Sequence, residues 1–398
     1  MTRLAGFMTN VGPFTLAVLA RAGFQWAIVL VLARLGGPAD VGNYTALLAI
    51  ASPTFLVVEL GFRNLYASQE SVPSAVKAFA VRVVLLSLTS VLLVVAAEFV
   101  FDLAGTLMIS MCVFKSAESV LDLSFMPHQR RGDMVRPARR VFASSSMAFL
   151  LFAVSYFSTH SLALAIFSMA VTSSLVLGVS VPSVVRTVKG SPDLRVSTPS
   201  VWWLIRSGAQ VGAAQGLASS ASYLPIYYLT STGDIEVAGV YSVLAYFVIV
   251  SQLVLNSVQQ IRLPAERRSK DGPRTILKRS SFEYSAIAVP LAVGSVILIE
   301  YGVPYIYGSD FRVTTGVAVC VALAVVLLGM NYSTGTVMLT FGLYSRQLLV
   351  TLGSLLGGAA MAAIAPFDSF LMNAVAILLA VVLARNLLGL LAVFSRSV

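Results

Sequence analysis

Twelve apolar runs, each about 20 residues long and parted by short polar breaks, leave this chain few ways to fold. A helix of ~20 residues crosses the hydrocarbon core of a bilayer with every backbone group bonded inside the segment. The runs lie near 11–33, 41–63, 78–100, 103–126, 141–158, 161–185, 204–230, 238–261, 282–304, 313–340, 347–365 and 370–394. Of 398 residues, 58% are hydrophobic and 11% charged, and the mean hydropathy is +0.87. Soluble domains carry roughly 25% charged residues. A water-soluble fold could not hide so much apolar surface. The expected class is an all-α integral membrane protein of about twelve transmembrane helices with no soluble domain. The first run is too long for a signal peptide, and Ala20-Arg21-Ala22 is a poor cleavage site, so this span is expected to be retained.

The net charge of +10 does not describe a nucleic-acid face, because the basic residues sit in the breaks between apolar runs. Twenty-two lysines and arginines, Arg82 among them, fall on one side of the expected topology, against Arg34 and Arg312 on the other. Such an excess marks the cytoplasmic side, which puts both termini in the cytoplasm. The basic loops, Arg262 to Arg279 above all, also suit anionic lipid or a polyprenyl diphosphate. Two histidines (His128, His160) and two cysteines in apolar runs (Cys112, Cys320) argue against a metal centre or a disulfide framework. No phosphate-binding glycine loop is present, so neither ATP hydrolysis nor a cofactor is expected. A membrane enzyme would need a sizeable outward loop with acid–base groups, and every loop is short.

The chain repeats itself. Gly37-Pro-Ala-Asp-Val-Gly42-Asn-Tyr44 opens the second run, and Gly233-Asp-Ile-Glu-Val-Ala-Gly239-Val-Tyr241 opens the eighth. Gly42 and Gly239 are 239 − 42 = 197 residues apart, as are Tyr44 and Tyr241. Six runs plus six gives two lobes of parallel topology, 1–190 and 204–398, joined by a cytoplasmic linker at 191–203. Two similar lobes are the usual architecture for alternating access.

Leu35-Gly-Gly-Pro-Ala-Asp-Val-Gly-Asn-Tyr44, followed by Glu59-Leu-Gly-Phe62, resembles the start of the MOP exporter superfamily. More narrowly it resembles the polysaccharide and O-antigen flippases of that group. Tyr307-Gly-Ser-Asp-Phe311 is similar to the family's short turn between spans nine and ten. The resemblance implies a V of two six-helix lobes around a central cavity, in a bacterial plasma membrane. It implies a polyprenyl-diphosphate-linked glycan as substrate, for cell-surface polysaccharide such as lipopolysaccharide. Membrane lipids, coupling H+ or Na+, and glycan polymerase and chain-length proteins are the partners of such a role. The competing class is a cation-coupled multidrug or metabolite antiporter of the same superfamily.

Several residues are candidates for the chemistry. Arg21 sits about ten residues from each end of its span, where a charge in lipid is costly. It must face a wet cavity, where its forked donors suit a diphosphate, or a carboxylate on a helix such as the fourth. Gln25 shares its face one turn on. Arg63 is four residues after Glu59, a spacing for an intrahelical pair or for a phosphate-attracting mouth. Lys115, Glu118 and Asp122 lie on one face of the fourth span. The two carboxylates are candidates for ion coupling, or the trio neutralises itself against Arg21. Gln210 and Gln215 sit in a seventh span of small and polar residues, which suits close helix approach or a lined cavity. Arg385 lies in the last span, either snorkelling or serving a site. Pro53 and Pro225 are candidate bends.

Overall fold

The computed structural model describes residues 2–62, 75–99, 105–126, 128, 134–189, 201–268 and 271–395. Among them are twelve long helices. They are α1 Thr2–Leu35, α2 Gly37–Val58, α3 Ala75–Phe99, α4 Gly105–Leu123, α5 Val135–Thr159 and α6 Leu162–Lys189. They continue with α7 Val201–Ser231, α8 Ile235–Arg268, α9 Pro273–Ile297, α10 Thr315–Thr340, α11 Tyr344–Ile364 and α12 Phe370–Phe394. Helix α9 runs on through a π-helical turn, Leu298–Gly302, and a last α-turn, Val303–Tyr307.

Each apolar run of the sequence lies on one of these helices. Ten are long and apolar enough to cross a membrane. The other two have the length but carry polar groups: Lys115, Glu118 and Asp122 in α4, and serines, glycines and glutamines in α7. The helices overrun the apolar runs where the sequence turns basic, as α8 does to Arg268 and α9 does from Pro273. Hydropathy marks what sits in hydrocarbon, whereas the hydrogen-bond ladder continues beyond it. Helices α2 and α7 run continuously through Pro53 and Pro225.

The chain divides into two compact units: Met1–Leu35 with Ile50–Gly216, and Gly36–Ala49 with Leu217–Val398. Helices α2 and α7 thus contribute to both. In the first unit α3 packs on α4, α4 on α6 and α5 on α6. Six helices later, α9 packs on α10, α10 on α12 and α11 on α12. The packing therefore repeats as the sequence does.

The copied turns themselves meet within the second unit. A Cβ on Gly42 would overlap the carbonyl oxygen of Ile235, and one on Gly239 would overlap that of Pro38. Pro38 and Ile235 are also 235 − 38 = 197 apart, so the contact is reciprocal. Ser242 Oγ donates to Thr45 Oγ1 at 2.8 Å, again across 197 residues. Tyr44 and Tyr241 are both buried. The two glycines let α2 and α8 cross backbone to backbone around a local two-fold axis. In the first unit Gly208, Gly212 and Gly216 do the same for α7 against α2, meeting Leu60 and Val57. The small residues of α7 are there to pack.

A side chain at the α2–α8 crossing must push two backbones apart. Gly42→Leu is expected to cost about 1–3 kcal/mol of stability, read as a lowered thermal-unfolding midpoint in detergent. An unchanged midpoint would contradict the crossing.

Candidate functional site

Three half-buried charged groups of the first unit gather on α4. Lys115, Glu118, Ser119 and Asp122 recur at short helical intervals, so they share one face. Arg21 Nη2 of α1 meets Glu118 Oε1 at 2.6 Å. Lys115 Nζ donates to Glu118 Oε2 at 3.0 Å. Both oxygens of Glu118 are thus held by cations. The Arg21 side chain remains 34% exposed. A guanidinium has five N–H donors, more than the Glu118 Oε1 it meets can accept. Of the alternatives open for Arg21 in the sequence, the structure shows the pairing with the fourth span, without sealing the group.

A second arginine lies one turn along the same face. By sequence Arg82 belongs with the orienting loop charges, but the structure buries it in α3 at 1% exposure. Its Nη1 donates to Ser119 Oγ at 2.7 Å and its Nη2 to the Glu59 carbonyl at 2.5 Å. The Glu59 carboxylate lies 3.8 Å from Nη1, and the Phe62 ring 5.3 Å from the guanidinium carbon. The expected pairing of Glu59 with Arg63 falls on Arg63, which lies outside the described residues. Helix α2 ends at Val58, and Leu60 and Gly61 turn in the left-handed region at φ 52. Arg82 caps the carbonyl end of α2, where a cation also meets the negative end of the helix dipole. The signal missed in the sequence is that Arg82 lies several residues inside α3, beyond loop reach.

The remaining candidates lie on four helices. Gln25 is half-buried in α1. Asp122 is half-buried on α4, near enough to influence Glu59. Gln215 is half-buried in α7, and the side chain of Gln210 lies outside the described residues. Arg385 is in the second unit, on α12. A groove of about 570 Å³ lies on the other face of α4, lined by Val91, Val95, Ile109, Val113 and Val120 with the Ser90 and Ser116 hydroxyls. Its walls are apolar, so it offers hydrocarbon a recess and does not reach the charged face.

No protein-family model matches the chain. Among curated proteins it is similar to the capsular polysaccharide biosynthesis protein CapF of Staphylococcus aureus, 21% identical over 82% of this chain and 84% of that one. Among solved structures, the lipid II flippase MurJ in an inward closed conformation superposes with a TM-score of 0.76 at 12% identity, covering 97% of this chain and 87% of that one. A mutant of the Vibrio cholerae MATE transporter VcmN gives 0.66 at 12% identity, covering 100% and 98%. The fold is that of the MOP superfamily. MATE structures and MurJ alike match the MOP fold of this chain along nearly its full length. The expected fold class therefore holds, as a multi-pass all-α membrane protein.

Arg82 and Arg21 separate by burial. Arg82→Met removes a fully buried guanidinium from Ser119 and the Glu59 carbonyl and is expected to cost about 3–5 kcal/mol. Arg21→Met breaks a partly open pair and is expected to cost about 1 kcal/mol. Unfolding midpoints in detergent read the order, and a larger loss at Arg21 would overturn it.

Proposed function

We propose that this protein is a flippase that carries a polyprenyl-diphosphate-linked oligosaccharide across a bacterial plasma membrane by alternating access, for cell-surface polysaccharide. The observation that carries the reading is Arg21: a mid-span guanidinium pinned by Glu118 through one edge, with a third of its side chain open. Pinning fixes its direction, and the free edge keeps donors for phosphate oxygens. A lipid-linked diphosphate needs a permanent cation in the membrane interior, and Arg21 supplies one that is already oriented. The MOP fold, shared with a lipid II flippase, and the capsular polysaccharide relative support the same reading.

An antiporter of the same fold is the second reading, favoured by the MATE structures and by the carboxylates of α4. In that reading a carboxylate must be free to take a proton or cation. Both oxygens of Glu118 are already engaged, which leaves Asp122 as the coupling candidate.

Cells lacking the native gene test the choice. The wild-type chain is expected to restore surface glycan, and Arg21→Ala to lower its export by at least about tenfold, the value of one charge-assisted contact. Arg21→Lys is expected to retain part of it. Normal export by Arg21→Ala, or efflux of cationic drugs without glycan export, would contradict the flippase reading.

A further inference from the structure

Each mid-span cation described in the first unit has a carboxylate within reach: Arg21 and Lys115 share Glu118, and Arg82 has Glu59. Arg385 differs. It is the sixteenth residue of the 25-residue helix α12 and has no hydrogen-bond or ion-pair partner among the described residues. Its electrostatic neighbour is the Tyr332 phenol of α10. A guanidinium does not neutralise itself, so an unpaired one inside a membrane protein calls for an anion or for water.

Snorkelling does not account for it. In the half of α12 that carries Arg385, the exposed residues are Leu383, Leu387, Leu391 and Phe394, which form the lipid-facing stripe. Arg385 falls on the opposite side, in register with the buried residues Leu378, Val381, Val382 and Gly389. It is nevertheless partly exposed, and none of its nitrogens is sealed. That exposure lies off the lipid-facing stripe.

The surroundings are polar and neutral. Asn386, next in the chain, donates to the Leu327 carbonyl at 2.9 Å, one turn before Asn331. Asn331 is 9% exposed, yet both its side-chain polar atoms are buried without a partner among the described residues, as is Asn386 Oδ1. Tyr332 donates to the Gln252 carbonyl at 3.0 Å, and Gln259 donates to Thr336 Oγ1 at 3.1 Å, which ties α8 to α10. Asn256 lies between those two glutamines on the same face of α8 and makes no hydrogen bond among the described residues. One fixed cation and unpaired amides, with no carboxylate described beside them, make the donor-rich, acid-free arrangement that holds a phosphate.

We propose that Arg385, with the amides of Asn331 and Asn256, forms an anion site inside the second unit that takes a phosphate or diphosphate group. The site deepens the flippase reading and rests on it for the source of that phosphate. It would give the second unit a head-group contact of its own, separate from Arg21.

The test uses the full chain in phosphatidylcholine nanodiscs. Inorganic pyrophosphate is expected to raise the unfolding midpoint of the wild type. Arg385→Gln is expected to weaken its affinity about ten- to a hundredfold. Arg385→Lys keeps the charge and is expected to lose less, chiefly the preference for pyrophosphate over orthophosphate that a forked donor confers. Stabilisation by a polyprenyl diphosphate but not by phosphatidylglycerol assigns the site to the carrier. Stabilisation by both assigns it to anionic lipid headgroups and still supports a phosphate site. No stabilisation of the wild type, or wild-type affinity in both variants, overturns the proposal. Export in cells separates the two claims. A chain that binds through Arg385 but restores no glycan keeps the site and loses the function, and the converse loses only the site.

Discussion

Glu118 is held from two directions, by Arg21 of α1 and Lys115 of its own helix, and the first unit is organised around that constraint. A charge in hydrocarbon must be paired or hydrated, so α4 can cross the bilayer only where partners on other helices meet its charged face. Arg82 of α3 makes the next contact on that face, and it reaches past α4 to the end of α2. One face of α4 therefore positions α1, α2 and α3. The apolar groove on the far side of α4 completes the division, with charge inward and hydrocarbon outward.

The second unit solves the same problem without carboxylates among the described residues of its middle. Its helices are joined by phenols, hydroxyls and amides, as in the Tyr284–Thr336 and Gln259–Thr336 contacts at 3.0 and 3.1 Å. The duplicated packing is thus dressed with different chemistry in each half. Position 21 in the first half corresponds to Ala218 in the second, and the cation of the second unit comes from α12 instead.

Most of the fold was legible because the bilayer imposes a single length scale. Twelve apolar runs became twelve helices, and the 197-residue repeat reappears in the repeated packing, whereas the reciprocal meeting of Gly42 and Gly239 came from the structure alone. The pairing of Arg21 with the fourth span was legible as one of two outcomes, since a mid-span cation leaves few others. Arg82 was not, because a basic residue near a span end looks the same to hydropathy whether it points to water or into the bundle. Nor was the end of α2, where Leu60 and Gly61 turn in the left-handed region within an apolar run that reads as continuous. That Arg385 lies off the exposed stripe of α12 could be read only once that stripe was known.

Cation-assisted translocation of a lipid-linked diphosphate is tested most directly in liposomes holding the purified chain and a fluorescent polyprenyl-diphosphate oligosaccharide. Access of a membrane-impermeant lectin or quencher to the saccharide follows its exchange between leaflets. The account predicts that the protein speeds this exchange well above that of protein-free vesicles, and that the same lipid carrying no diphosphate gains little. Exchange no faster than in empty vesicles, or equal acceleration with and without the diphosphate, would contradict it.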